Sequence, residues 1–152
     1  MVVGLAAPSA AQVLLNQAKL NAGLGGCDAP GYPLTICKPG SYKLTGSLGF
    51  VAGRNPNVDI VEITSNAVTF DLNGFLIGGV CADGTGMGIR ARGLSIILIT
   101  IMNGAVTCMG GYGVFLTGRQ HRVERVNATM NTHGIYAGEA DLDPPRKTTT
   151  AK

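Results

Sequence analysis

The sequence predicts an all-β domain, a parallel β-solenoid of about four coils that follows a short N-terminal capping helix. Glycine is unusually frequent, at 23 of 152 residues, and helix signals vanish beyond Gly40. Short β-prone segments then return every 20 to 30 residues. Units of this length are too short for a propeller blade and suit one coil of a solenoid, in which each coil stacks on the one before it.

Composition excludes several classes of protein. Apolar residues reach 45% and charged residues only 14%, which is not the composition of a disordered chain. Twelve basic and nine acidic residues leave a net charge of +3, too small to indicate a nucleic-acid partner. The longest strongly apolar run, residues 96–102, is far below the roughly 20 residues of a membrane helix. We therefore expect neither a nucleic-acid partner nor a membrane span.

The chain divides into three parts. Residues 1–12 carry no charge and end in small residues, which is typical of a signal-peptide cleavage region and equally of a disordered N-terminus. Residues 13–138 are predicted to hold the capping helix, expected over residues 11–22 and stopped by Gly23, and the solenoid. Residues 139–152 lose the repeat pattern and include adjacent prolines, which predicts a disordered tail.

The repeat is visible when the β-prone segments are compared. Residues 87–93 are similar to residues 112–118 and 133–138, and more loosely to residues 59–64, with offsets of 28, 25 and 21 residues. The insertion at residues 79–86 explains the longest offset. Alternation directs one set of side chains inward: Val61, Ile63, Ile89, Ala91, Val114, Leu116, Ile135 and Ala137. It directs a second set, which we call the outward file, to the surface: Glu62, Arg90, Phe115 and Tyr136.

A second repeated column contains Asn73, Asn103 and Asn127. Asparagine tolerates left-handed backbone geometry at a sharp bend, and its amide can bond to an asparagine one coil away. We therefore assign these three residues a structural role as a hydrogen-bonded ladder. Further strands are predicted in the remaining β-prone segments, residues 41–48, 67–72, 95–101 and 122–126.

Residues 39–45, 71–75 and 86–90 resemble the right-handed parallel β-helix repeat proteins of bacteria, the pectin-lyase-like class. The resemblance covers roughly residues 13–138 and implies a right-handed β-helix that is short for its class. Proteins of this class are usually exported. Some are polysaccharide lyases or hydrolases, and many are repeat proteins without an assigned activity.

The requirements of those enzymes are poorly met. A pectate-lyase-like site combines an acidic calcium site with a basic residue, and the candidates here are Glu62, Arg90, Arg92 and His133. Glu62 and Arg90 are interpreted as a surface ion pair between coils, and His133 as a turn residue. Hydrolysis needs two carboxylates on one face, which the repeat alignment does not supply. We assign no catalytic residue and expect no cofactor and no metal.

Phe115 is predicted to lie above Arg90 and beside Tyr136 in the outward file. Aromatic rings next to arginine suit carbohydrate, so these three residues are the candidate ligand-binding residues. Stacking of the rings between coils, without a ligand, is the alternative.

The four cysteines allow three complete pairings, and none forms a Cys-x-x-Cys pair. Cys27 and Cys37 flank a segment rich in turn-forming residues, which favours a bridge between them in an oxidising compartment. Four buried thiols are the alternative.

These observations predict a secreted or cell-surface β-solenoid with a structural or adhesive role. It would contact polysaccharide and form a homo-oligomer end to end, because the final coil exposes a strand edge. The alternative is a lyase or glycoside hydrolase that acts on acidic polysaccharide. The sequence leaves open the natural ligand, the start of the precursor and whether the chain is a fragment of a longer β-helix.

Overall fold

The computed structural model describes residues 11–138, so the predicted tail and most of the signal-like segment lie outside the described residues. Within this range the chain forms one helix and eleven strands. In chain order they are β1 (Val13–Leu15), α1 (Gln17–Ala22), β2 (Leu34–Ile36), β3 (Gly40–Leu44), β4 (Val61–Ile63), β5 (Val68–Asp71), β6 (Leu76–Gly78), β7 (Ile89–Ala91), β8 (Ile99–Thr107), β9 (Tyr112–Thr117), β10 (Arg122–Thr129) and β11 (His133–Gly138).

The strands form two sheets whose ladders are parallel. One sheet has the order β1-β3-β5-β8-β10, and β6 also pairs with β8. The other has the order β11-β9-β7-β4-β2. Parallel pairing requires a long return connection, and here each partner lies about one repeat further along the chain. The mostly β class predicted from the sequence is confirmed.

Apolar side chains line up across the strands because the pairing register is regular. In the second sheet Val61 pairs with Ile89, Ile89 with Val114, and Val114 with Ile135, which confirms the predicted alignment of these strands. All four side chains are buried. They belong to one apolar core that also contains inward residues of the first sheet, such as Phe70 and Ile101. Burial in continuous columns shields apolar surface along the whole stack of strands.

The second sheet has one strand more than the repeat predicted. The repeat in the sequence predicts strands β4, β7, β9 and β11. The sheet also contains β2, in which Thr35 pairs with Glu62. The sheet therefore has five strands rather than the four that the repeat predicted. β2 was not predicted from the sequence, although it alternates apolar and polar residues as β4 does.

The capping helix is present but shorter than predicted. Helix α1 begins at Gln17, because the extended Asn16 is its N-cap and accepts a hydrogen bond from the Lys19 amide. Residues 13–15, expected to be helical, form β1 and pair with β3. Pairing with an existing parallel strand outweighs the weak helix propensity of this apolar segment. Gly23, with a φ of 76°, ends the helix as predicted.

The predicted asparagine column is wrong at Asn127. Glu124 pairs with Met102 and Val126 with Gly104, so Arg125 lies beside Asn103, whereas Asn127 pairs with Ala105. Asn73, Asn103 and Arg125 all have left-handed φ angles, of 52°, 62° and 52°. The bend position thus recurs, but its last occupant is arginine.

The expected asparagine-to-asparagine ladder is also replaced by other bonds. The Asn103 amide donates to Asp71 Oδ1 (3.2 Å) and its oxygen accepts from Arg125 Nε (2.6 Å). Asn73 donates instead to the Leu44 carbonyl (3.1 Å). The bends are therefore linked by side chains of three different types.

The insertion at residues 79–86 is a loop between β6 and β7. A Cβ added at Gly84 would lie 2.6 Å from the Pro56 carbonyl oxygen, and one added at Gly110 would lie 2.6 Å from the Gly84 carbonyl carbon. Three successive backbone segments thus stack closely at this corner. Glycine is required there because a side chain has no room between them.

Candidate functional site

The outward file lies along the second sheet, one residue from each strand. Glu62 pairs with Arg90, Arg90 with Phe115, and Phe115 with Tyr136, and Thr35 of β2 precedes Glu62. All of these residues are partly exposed, while their neighbours along each strand point inward. The structure therefore brings together the candidate ligand-binding residues Arg90, Phe115 and Tyr136.

Arg90 is held by two carboxylates. Its Nη2 lies 2.9 Å from Glu62 Oε1, which is the ion pair expected from the sequence, and its Nη1 lies 3.0 Å from Asp59 Oδ2. The other oxygen of Asp59 accepts a hydrogen bond from the Met87 amide (2.8 Å). Because the three side chains retain contact with solvent, their attraction is screened and contributes little to stability. Their geometry, in contrast, fixes the guanidinium on the surface beside Phe115.

Asp59 is a member of this cluster that sequence reasoning missed. It precedes β4 and therefore falls outside the alternating pattern that selected Glu62. The available signal was the position of Asp59, which lies three residues before Glu62 and aligns with Met87 in the comparison of the repeats. With Asp59, two carboxylates share one surface, which the repeat alignment alone did not provide.

The aromatic side chains form a cluster in which rings contact rings. Phe115 and Tyr136 are stacked, with centroids 5.1 Å apart and an interplanar angle of 23°. Tyr112 lies 5.0 Å from Phe115 and stacks on His133 at 4.5 Å. This is the stacking between neighbouring strands that the sequence analysis gave as the alternative to ligand binding. Contact of these rings with a sugar stays a prediction.

The position of His133 differs from its predicted one. His133 is not a turn residue but the first residue of β11, where it pairs with Tyr112. The pairing with a strand residue one repeat earlier places its ring against the Tyr112 ring. Tyr112 was not selected from the sequence, although it occupies the first position of the repeated segment, as His133 does.

Arg92 does not join the cluster. It follows the last residue of β7 and is exposed, and within residues 11–138 it forms no ion pair. Of the four catalytic candidates, the structure brings Glu62 and Arg90 into contact and places His133 nearby through Tyr112. The arrangement can present hydrogen-bonding carboxylates, one guanidinium and aromatic edges to a polar ligand.

The four cysteines form two disulfides. Cys27 is bonded to Cys37, the pairing favoured from the sequence, and Cys81 in the inserted loop is bonded to Cys108. The second bridge was not predicted, because its partners come together only when the loop packs against the end of β8. Disulfides persist in oxidising compartments, so the two bridges indicate an extracellular or otherwise oxidising environment.

The described part of the chain contains neither a metal-ligand cluster nor a membrane-spanning helix. No group of three or more histidine, cysteine, aspartate or glutamate side chains within residues 11–138 is arranged to hold a metal ion. In the same range there is no helix with the length and apolar character needed to cross a bilayer.

Comparison with known proteins returned no relatives. No protein-family model, no curated protein and no solved structure matches this chain.

Proposed function

We propose that the chain is an exported right-handed parallel β-helix of the pectin-lyase-like kind, with a structural or adhesive role. The register of the second sheet carries this proposal, since five parallel strands stack side chains of the same kind in line. The two disulfides support export, because secreted proteins keep such bridges. A surface that presents one side chain from each strand, in register and at a regular interval, suits contact with a repeating polymer.

The proposed ligand is a polysaccharide that contacts the outward file. Sugars bind through apolar ring faces and hydroxyl groups. The outward file offers the aromatic rings of Phe115 and Tyr136 beside Arg90, which forms ion pairs with two carboxylates. The regular spacing of its strands, about 4.8 Å, allows successive side chains to contact one sugar unit.

A glycan array tests this proposal. We expect the protein to bind at least one acidic or neutral glycan, and Phe115→Ala and Tyr136→Ala each to weaken that binding about tenfold. Thr69→Ala, at an outward position of the other sheet, is the matched control and should bind as the unchanged protein does. Thermal melting of each variant separates lost binding from lost folding. Binding that survives both aromatic substitutions, or an array without any bound glycan, would refute the proposed face.

We also propose that the protein associates end to end. Among the described residues, β10 pairs only with β8, so one edge of β10 has no ladder partner there. Such edges template pairing with another chain, and lysine blunts them. Light scattering should show a mass that rises with concentration, and Asn127→Lys with Thr129→Lys on β10 should restore the monomer. Thr64→Lys with Thr69→Lys adds the same charge elsewhere and should leave association unchanged. A monomer at every concentration would contradict the proposal.

Cleavage of acidic polysaccharide is the second candidate function, favoured by the two carboxylates of Asp59 and Glu62 on one surface. Both carboxylates are paired with Arg90. Action as general acid and base requires that at least one of them be free of this ion pair. Arg90→Gln would remove both ion pairs. The test is release of unsaturated or reducing sugar from pectin, alginate and related polymers. A product that disappears in Glu62→Gln would establish the enzyme, and no product from any polymer would favour the structural role.

A further inference from the structure

A cleft of about 280 Å³ lies between helix α1 and the strands β1, β2 and β3. Its walls are mostly apolar and include Val13, Leu24, Ile36 and Tyr42. The Cys27–Cys37 disulfide forms another part of the wall and ties the segment after α1 to the end of β2. Tyr42 is buried and donates a hydrogen bond to the Lys38 carbonyl (2.7 Å), which fixes the backbone at the side of the cleft. The cleft is therefore held in shape by a covalent bond and a hydrogen bond.

Two lysines give the cleft a positive charge. Lys19 of α1 and Lys38, which follows β2, both line it and both are exposed. No acidic side chain is among the lining residues, and neither lysine forms an ion pair within the part of the chain that the structure describes. The lining of the cleft therefore combines two lysines with apolar residues and contains no carboxylate to balance their charge.

We propose that this cleft binds a small free organic anion with an apolar body, of the medium-chain carboxylate class. The volume lies at the lower limit for small-molecule sites, which fits a ligand of about ten non-hydrogen atoms rather than a polymer. The hydrocarbon chain contacts Val13, Leu24 and Ile36, and the carboxylate accepts charge-assisted hydrogen bonds from Lys19 and Lys38. The site shares no residue with the outward file, so it is independent of the proposed contact with polysaccharide.

Titration with octanoate, followed by amide chemical shifts in NMR spectra, tests the proposal. We expect saturable shifts at residues that line the cleft, such as Gly25, Thr35 and Ile36. Octanamide has the same chain without the charge, and propionate has the same charge with a shorter chain. Each should bind at least tenfold more weakly, because each lacks one of the two interactions.

Charge removal on the protein provides the second arm of the test. Lys19→Met and Lys38→Met keep the apolar stem of the side chain and should each weaken octanoate binding about fivefold, with little effect on octanamide. Lys43→Met is the matched control, because Lys43 does not line the cleft. Equal affinity for octanoate and octanamide, indifference to both lysine substitutions, or absence of saturable shifts at the cleft would each overturn the proposal. Glycan binding would be unaffected by any of these outcomes.

Discussion

Asn103 shows how one side chain holds a bend of this fold. Its backbone has a left-handed φ of 62°, and its side-chain amide group connects Asp71 of β5 to Arg125 of β10, the strands on either side of β8 in the sheet. Asp71 Oδ1 accepts a second bond from the backbone N–H of Asn73 (2.8 Å), so one carboxylate oxygen serves two neighbouring bends. An asparagine suits the position both for its backbone tolerance and for its two-sided hydrogen bonding.

Replacement of Asn103 by leucine should therefore destabilise the protein. A leucine in the left-handed region costs about 1–2 kcal/mol, and the lost hydrogen bonds add about 1 kcal/mol. We expect the free energy of unfolding in urea to fall by about 2–3 kcal/mol. Asn127→Leu is the control, because Asn127 is an exposed strand residue and should change stability by less than about 0.5 kcal/mol. Equal effects of the two substitutions would show that the bend does not depend on Asn103.

His121 makes the stability of the folded protein depend on pH. Its Nδ1 accepts a hydrogen bond from the Ile99 amide (3.3 Å), and its Nε2 lies 3.2 Å from the Thr117 carbonyl oxygen. Together these bonds require the neutral ring with its proton on Nε2. Burial lowers the pKa of His121 below its ordinary value of 6.5, against a smaller opposite effect of the bond to Thr117.

Because the pKa of His121 is lower in the folded chain, the unfolded chain binds the proton first as the pH falls. The contribution of His121 to stability is therefore complete above pH 6.5 and is lost as the pH falls from there through the pKa of the folded state. The free energy of unfolding, measured in urea between pH 7.5 and pH 5, should fall more steeply in the unchanged protein than in His121→Gln. Parallel pH profiles would contradict this role.

At the level of the elements, the corner formed by the inserted loop depends on glycine. A Cβ at Gly110 would lie 2.6–2.8 Å from backbone atoms of Gly84, which cannot move aside as a flexible side chain would. Gly110→Ala should therefore lower the free energy of unfolding by about 1–3 kcal/mol. Gly134→Ala is the matched control, since a Cβ at Gly134 meets nothing within 4 Å. Urea unfolding of both variants checks the prediction. An unchanged free energy of unfolding in Gly110→Ala would show that the backbone segments at Gly84 and Gly110 can move apart without loss of stability.

For the whole molecule, the two disulfides constrain chain segments of different lengths. Cys27–Cys37 spans 10 residues and Cys81–Cys108 spans 27. In the chain-entropy description the longer span restricts the unfolded chain more, by about 3.5 against about 2.7 kcal/mol. Replacement of both cysteines of a pair by alanine should therefore cost more stability at Cys81–Cys108. Calorimetric or urea unfolding of the two double variants measures the order, and the reverse order would mean that effects within the folded state dominate.

The strand alternation and the positions of the glycines were sufficient to predict the mostly β fold, the stacked column of Val61, Ile89, Val114 and Ile135, and the ion pair of Glu62 with Arg90. These features follow from local chemistry. Each strand carries its own inward and outward pattern, and the recurring glycines mark which positions of successive segments correspond.

The partner of Asn103 required the folded structure. A register error of two residues leaves every side chain on the same face, so hydrophobic alternation does not distinguish Asn127 from Arg125 as the neighbour of Asn103. The Cys81–Cys108 bridge and the cleft beside Lys19 and Lys38 likewise depend on loops that bring distant segments together. Alternation within a segment is a property of neighbouring residues, whereas contacts between turns and loops depend on how the whole backbone packs.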